Sequence, residues 1–257
     1  MTIAVPSFGT RPLLELCLAS IRALTDLDPA RIEVIVVDTG STDGSRELVA
    51  RVPFARLETL DGLVPGAAAH GAALDRALAL ARGSWLATLD ADAYPRRPGW
   101  LESLLAAARL PGGPAAAVGA EKDVSGHSWL RRLGARLRGA LARAPRATGL
   151  GYIRPNRALY RTEVLRRHAL DFAPRPRAVG EGLARRLEAI GEPIVRLAPA
   201  DLDALVGHVR HASLALNPKL FPDLRPRVAR AVRRRIDELL SSPEAVERIE
   251  QLRAGLG

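Results

Sequence analysis

Trp85-Leu-Ala-Thr-Leu-Asp90-Ala-Asp92-Ala-Tyr94 is an apolar run that stops at two carboxylates one residue apart. Alternate residues of a strand point the same way, so Asp90 and Asp92 can share a face where a strand leaves its sheet. Two acids at the carboxyl end of a buried strand repel each other and resist desolvation. A hard divalent cation relieves both costs, and a pyrophosphate is its natural further ligand. The pair therefore points to a metal that grips a nucleoside diphosphate. Asp-x-Asp alone is a common pattern, and its meaning comes from its neighbours.

Upstream, strands and helices alternate. Thr2-Ile-Ala-Val-Pro6 reads as a buried strand, and a helix follows from Pro12 with Leu13, Leu14, Cys17, Leu18 and Ile21 on one face. Ile32–Val37 is too continuously apolar for an exposed strand. The turn-rich segment Asp38–Ser45 opens a short helix, a third strand is expected near Phe54–Leu60, and an alanine-rich helix spans Gly66–Ala81. Gly83 ends that helix, and Ser84–Leu89 is the fourth strand. Such alternation predicts an α/β fold, with a mostly parallel sheet flanked by helices. Ligands bind such sheets beyond the carboxyl ends of the strands, where Pro6–Gly9, Asp38–Ser45 and Asp90–Asp92 all fall.

Downstream the pattern is less regular. Leu110–Pro114 is a turn cluster, and Ser128–Arg143 has leucines at helical spacing between arginines. That helix either lies on anionic lipid or packs on the domain with a solvated face. Gly149–Pro155 reads as a loop, Ala158–Tyr160 as a short strand and Thr162–His168 as a helix. Pro174 and Pro176 mark another loop. Gly180–Ile190 is helical and Pro193–Leu197 extended. The tail predicts helices at Pro226–Leu240 and from Pro243, with Ser242 as N-cap.

Four segments, in order, resemble the family 2 glycosyltransferases of GT-A fold. They are Ile3–Phe8 with Arg11, Ile35-Val-Val-Asp-Thr-Gly-Ser-Thr-Asp-Gly-Ser45, His70-Gly-Ala-Ala-Leu-Asp75 and Leu89-Asp-Ala-Asp92. The resemblance covers about residues 2–105. It implies a GT-A-like domain over residues 1–200, with a nucleotide-sugar half at 1–110 and an acceptor half at 111–200, then a helical extension at 201–257. It also implies a nucleotide-sugar donor, Mn2+ or Mg2+, and transfer to an acceptor hydroxyl on a glycan, lipid-linked or small molecule, with inversion.

The resemblance makes Pro6, Ser7, Phe8, Arg11, Asp38, Gly40, Ser41, Asp43, His70, Gly71, Asp75 and Asp90 nucleotide-sugar contacts. Read from the residues alone, Asp38 can accept from a base or ribose, or cap its own loop. Asp43 can bind the base or N-cap the next helix. Thr39 stands where the family often has a second acid. Asp92 is the foremost metal ligand, with Asp90 binding directly or through water. His208, in Gly207-His-Val-Arg-His-Ala-Ser213, stands where several members carry a late metal-binding histidine. A sugar hydroxyl needs a base to take its proton as it attacks. The family's base lies in an acidic pair that opens a helix; here that helix reads Gly180-Glu181-Gly182, so Glu181 is the expected base and Gly182 replaces the partner acid. Glu181 can equally serve only the helix dipole.

Two other readings stay open. The first is a non-catalytic relative that binds a nucleotide-sugar or a membrane surface. The second is a nucleotidyltransferase of related fold. No G-x-G-x-x-G follows the first strand, and no G-x-x-x-x-G-K-[ST] occurs, which argues against dinucleotide and P-loop readings. Net charge is +10, and all but two of the 38 Lys and Arg residues are arginines. Such charge reflects either biased composition with solvated helix faces or an anionic partner, a nucleotide, a phospholipid surface or a nucleic acid. Aromatics at 4% are too sparse for the stacking platforms of single-stranded nucleic-acid binders, so no nucleic-acid partner is expected. Cys17 is the sole cysteine, which fits a reducing compartment. The expected location is cytoplasmic, with peripheral contact at the inner membrane face an open alternative, and with no signal peptide.

Overall fold

The computed structural model describes residues 1–122, 152–173 and 179–256. The first half follows the sequence closely: β1 (Thr2–Ser7), α1 (Arg11–Leu24), β2 (Glu33–Asp38), α2 (Ser45–Ala50), β3 (Ala55–Thr59), α3 (Ala67–Leu80) and β4 (Trp85–Leu89). Then come β5 (Ala93–Pro95), α4 (Trp100–Ala107), a hairpin of β6 (Arg109–Leu110) and β7 (Gly113–Pro114), β8 (Ala117–Lys122) and β9 (Tyr152–Arg161). The remainder is α5 (Thr162–Arg167), α6 (Glu181–Ala189), β10 (Ile194–Leu197), α7 (Pro199–Leu205), β11 (Val206–His208), α8 (Ala212–Leu216), α9 (Pro226–Leu240) and α10 (Pro243–Ala254).

Seven strands form one sheet in the order β10-β8-β9-β4-β1-β2-β3. The pairs β1–β2, β1–β4, β2–β3 and β8–β10 are parallel, and β9 runs antiparallel to both its neighbours. Apolar residues cover both faces, as the continuous strand runs predict. Ile3, Val5, Val34, Val36, Ala87 and Leu89 pack with α1 and α4 on one face; Ala4, Ile35, Val37 and Leu86 pack with α3 on the other. Trp100 is buried in the first layer, where its indole N–H donates to Thr25 Oγ1. Cys17 is buried there too, and burial pushes its thiol well above the usual range, so it packs as a small apolar residue.

Two expectations are corrected. Residues 152–155 belong to a ten-residue strand, not a loop. Pro155 is tolerated because β9 pairs with β4 only from Arg157 onward, and its pairing with β8 is irregular around Gly119–Glu121. A proline without an N–H sits at such a break at little cost. Asp90 and Asp92 lie in a turn rather than on a strand face, since the Asp90 carbonyl accepts from Ala93 N at 2.8 Å. The expected helix at Ser128–Arg143 and the loop at Pro174 and Pro176 lie outside the described residues, as does Gly149–Gly151.

The 201–257 segment folds back onto the first helix. Val232 and Ile236 of α9 pack with Leu13, Ala212 and Ala215, while Ile249 and Leu252 of α10 join the core beneath α1. Arg253 holds the Glu15 carboxylate with two hydrogen bonds. Besides helices, the segment contains β11, which pairs antiparallel with β5 and sets His208 opposite Ala93. No helix among the described residues is long and apolar enough to cross a membrane.

Gly83 stands where α3 has ended and β4 is about to begin. Its N–H donates to Thr2 Oγ1 at 3.0 Å, and a Cβ there would lie 2.5 Å from Met1 C and Thr2 N. Those are backbone atoms and cannot swing away. Gly83→Ala is expected to lower stability by about 1–3 kcal/mol through overpacking; urea unfolding midpoints unchanged from the parent would contradict this account of the turn.

Candidate active site

The parallel strands β1, β2 and β4 end at one edge of the sheet, with Ser7 and Asp38 in register. A cavity of about 480 Å³ opens there. One wall comes from Pro6, Ser7, Phe8, Thr10 and Thr39, another from Ala69 and His70 of α3. Tyr152, Arg154, Pro155 and Asn156 of β9 and the segment from His208 to Leu214 close it. Its floor is Asp90, Ala91 and Asp92.

That floor is held by backbone. Asp90 N donates to Asn156 O, Ala91 N to Pro6 O and Val209 N to Asp92 O, so three distant segments meet at this turn. His70 Nε2 lies 2.8 Å from Asp90 Oδ1, and His208 Nε2 lies 3.2 Å from Asp92 Oδ1. The Asp92 and His208 side chains are only 10% and 9% exposed. Asp92 Oδ1 is buried, and the polar group that meets it among the described residues is His208 Nε2. Asp90, Asp92 and His208 each offer one ligand atom, all within 4.8 Å of one another. Two carboxylates and an imidazole suit a divalent cation such as Mn2+ or Mg2+, and a buried carboxylate oxygen met only by an imidazole is the kind of acceptor such an ion satisfies.

Electrostatics sets the two acids apart. Burial pushes the Asp92 carboxyl up by more than the hydrogen bond and charge of His208 bring it down, and the Asp90 charge adds a smaller upward push. Burial acts upward on Asp90 too, but the charge and hydrogen bond of His70, with His208 and Arg157 farther away, bring it below the usual carboxylate range. His70 in turn is raised, because Asp90 outweighs the cost of burying its charge. Behind His208, the Asn156 side-chain amide meets Nδ1 at 3.2 Å. Turned to present Oδ1, that amide would accept from Nδ1–H and leave Nε2 as a ligand atom.

The Asp38 loop is internally tied. Asp38 Oδ1 accepts from Gly40 N, Ser41 N and Arg46 Nε at 3.1, 2.9 and 2.7 Å, while Oδ2 is buried without a partner. Gly40, at φ +103°, makes the turn that brings these amides round. Asp38 sits behind the wall rather than on it, and Thr39 is the residue that lines the cavity. Ser41 Oγ accepts from Gly9 N, and Asp43 accepts from Arg11 N, Ser45 N and Ser45 Oγ. The β1 and β2 loops thus clasp each other through Ser41 and Asp43. Arg11 is exposed beside Gly44. Ser7 Oγ and Thr10 Oγ1 are buried at the cavity without protein partners.

Other residues marked in the sequence lie outside the cavity wall. Gly71 faces the loop after α5, where a Cβ would come 2.8 Å from Phe172 O. Asp75 Oδ1 accepts from Phe172 N at 2.7 Å. Both positions join α3 to that loop. Glu181 opens α6, is 17% exposed and meets Arg185 at 2.8 Å. Val179, two residues earlier, lines the cavity, and Gly180 packs on Ile153 O and the Pro155 ring. Asp90 and Asp92 are the only carboxylates in the cavity wall among the described residues. His208 ends β11, and His211, at φ +67°, precedes α8; both line the cavity.

Arg46, Asn156, Arg154 and Arg157 carry no local motif and escaped the sequence reading. Arg157 is buried across from Leu89, donating to Asp203 Oδ1 and Val206 O. Each of these residues acts through partners far along the chain or through a cavity that the sequence does not display.

The sequence profile described as Glycosyl transferase family 2 matches residues 2–169, more than half of the chain. No curated protein sequence matches significantly. Among solved structures, the mannosyltransferase PcManGT from Pyrobaculum calidifontis, in complex with GDP-Man and Mn2+, aligns with a TM-score of 0.57 at 21% identity, covering 98% of this chain and 73% of that one. S. aureus TarS 1–349 aligns with a TM-score of 0.55 at 18% identity, covering 90% and 68%. The same protein in complex with UDP gives 0.52 at 16%, covering 90% and 68%. At these identities the likeness is one of fold, a mostly parallel sheet flanked by helices with a helical C-terminal part. The profile match adds descent to that shared architecture: the chain belongs to the family 2 glycosyltransferases.

Proposed function

We propose that this protein transfers a sugar from a nucleotide-sugar to an acceptor hydroxyl, with inversion at the anomeric carbon and with help from a divalent cation. The observation that carries the reading is the cluster of Asp90, Asp92 and His208 at the cavity floor, with a ligand atom of each within 4.8 Å of the others. The GDP-Man and Mn2+ bound by PcManGT and the UDP bound by TarS support it by analogy of fold.

In this reading the nucleotide lies along Pro6–Phe8 and Thr39, where Ser7 and Thr10 hydroxyls await polar partners. Asp38 takes a base or ribose donor on Oδ2 after a small opening of the loop, and Arg46 keeps its other oxygen in place. Gly40, Ser41 and Asp43 serve by holding that loop; Arg11, exposed beside it, meets phosphate. His70 orients Asp90, while Gly71 and Asp75 anchor the helix that carries His70. Asp90, Asp92 and His208 hold the cation, Mn2+ or Mg2+, which supplies charge neutralisation for the departing diphosphate. Glu181 takes the acceptor proton. It flanks the cavity through Val179, and among the described residues the wall contains no carboxylate besides the two acids of the floor. The Arg185 contact holds it at the helix start.

Two measurements test this. In a thermal-shift screen against UDP, GDP, TDP and CDP, one nucleotide with Mn2+ should raise the unfolding midpoint, by roughly 2–4 °C for each kcal/mol of binding linkage. Asp92→Ala should abolish the metal-dependent part. Absence of any shift would leave a non-catalytic relative as the better description. For the base, Glu181→Gln should lower turnover by about 10²–10⁴-fold while nucleotide affinity stays unchanged. Release of pyrophosphate from a nucleoside triphosphate, instead of diphosphate from a nucleotide-sugar, would identify a nucleotidyltransferase.

A further inference from the structure

Arg154 is the one partly buried arginine among the described residues whose guanidinium has no acceptor. Arg46, Arg157, Arg161, Arg186, Arg196 and Arg248 are the others withdrawn from full exposure, and each holds a carboxylate or carbonyl oxygen. Arg154 lines the cavity instead. A guanidinium stays charged across the ordinary pH range, offers five N–H donors, and loses hydration when half-buried. Burial lowers its proton affinity; Tyr152 acts the other way, and the like charges of Arg210 and Arg157 lower it further. No described residue offers this cation an acceptor, at a place where a ligand enters.

Its position says which ligand. In the sheet order β9-β4-β1-β2, the Asp90–Asp92 turn follows β4. The Ser7 and Asp38 loops lie on the β1–β2 side of that turn, and Arg154 lies on the opposite side, on β9. Resting on the sugar-transfer reading, which seats the nucleotide over β1 and β2, the β9 side faces the acceptor. Arg210, two residues past His208, is exposed nearby.

We propose that Arg154 receives an anionic group, a phosphate or a carboxylate, carried by the acceptor, with Arg210 drawing that group toward the cavity. Guanidinium binds both anions in a two-pronged fashion, and Lys reproduces the charge without the fork. The substrate class is thus an acidic acceptor, one that bears its charge within reach of the hydroxyl that is glycosylated.

The test uses the full chain saturated with Mg2+ and whichever nucleoside diphosphate binds. Inorganic phosphate and acetate are then titrated calorimetrically as probes of the remaining cavity. One of them should bind on top of the nucleotide, which also tells phosphate from carboxylate. Arg154→Gln should weaken that probe at least tenfold, with nucleotide affinity within twofold, and Arg154→Lys should retain part of the binding. A tenfold loss of nucleotide affinity in Arg154→Gln would assign the arginine to the donor diphosphate and overturn the proposal. Probe binding indifferent to both substitutions would overturn it as well. If no nucleoside diphosphate binds while phosphate still needs Arg154, the sugar-transfer reading falls, and the acceptor assignment falls with it. Circular dichroism melts of both variants report folding, and the Lys variant keeps the charge if Gln destabilises.

Discussion

Two carboxylates share the end of one buried strand, and much of the cavity is arranged around the cost of keeping them there. Desolvation and mutual repulsion both oppose ionisation. The chain answers with two histidines from opposite directions: His70 from α3 meets Asp90, and His208 from β11 meets Asp92. The compensation is unequal. Asp90 is brought below the usual carboxylate range, whereas at Asp92 the cost of burial exceeds what His208 returns. A polar site left incomplete by protein groups alone is the mark of a site completed by a ligand.

Holding that arrangement requires the backbone of several segments. The turn after β4 is bonded to Pro6 on one side and Asn156 on the other, and the carbonyl of Asp92 accepts from Val209. The antiparallel pairing of β5 with β11 fixes His208 in register. The C-terminal segment, whose helices pack on α1, is therefore part of the site through a three-residue strand. Elsewhere the cavity follows from the ends of parallel strands, where loops gather because helices cover both faces of the sheet.

The two sides of the cavity differ in how they are finished. On the β1–β2 side, Asp38 is tied by its own loop and Arg46, and Ser41 and Asp43 bind the neighbouring loop. That side is pre-organised. On the β9 side, Arg154 has no acceptor among the described residues, and the strand itself runs past the end of β4 to place it. An anchored side for one substrate and an uncompensated cation for another fit a transfer reaction between two ligands.

Much of the fold could be read directly. The alternation from Thr2 to Leu89, the glycine-rich loop after Val37 and the acids after Leu89 are local patterns, and strands buried on both faces leave an unmistakable apolar signature. The terminal helices were legible for the same reason, with Ser242 accepting from Ala245 N as a cap. Residues 152–155 misled because the glycines before them and Pro155 suggest a loop, and only the neighbouring strands show that Tyr152 and Ile153 pair with β8 while Pro155 falls where neither neighbour pairs with it. The sequence by itself determined the sheet, its ligand-binding edge and the two acids at its centre. Tertiary structure alone decided that Gly71 and Asp75 brace a helix, that Asn156 backs His208 and that Arg154 lines the cavity without an acceptor among the described residues. Those roles depend on which distant groups come within hydrogen-bond reach, a property of the folded chain that no local spacing encodes.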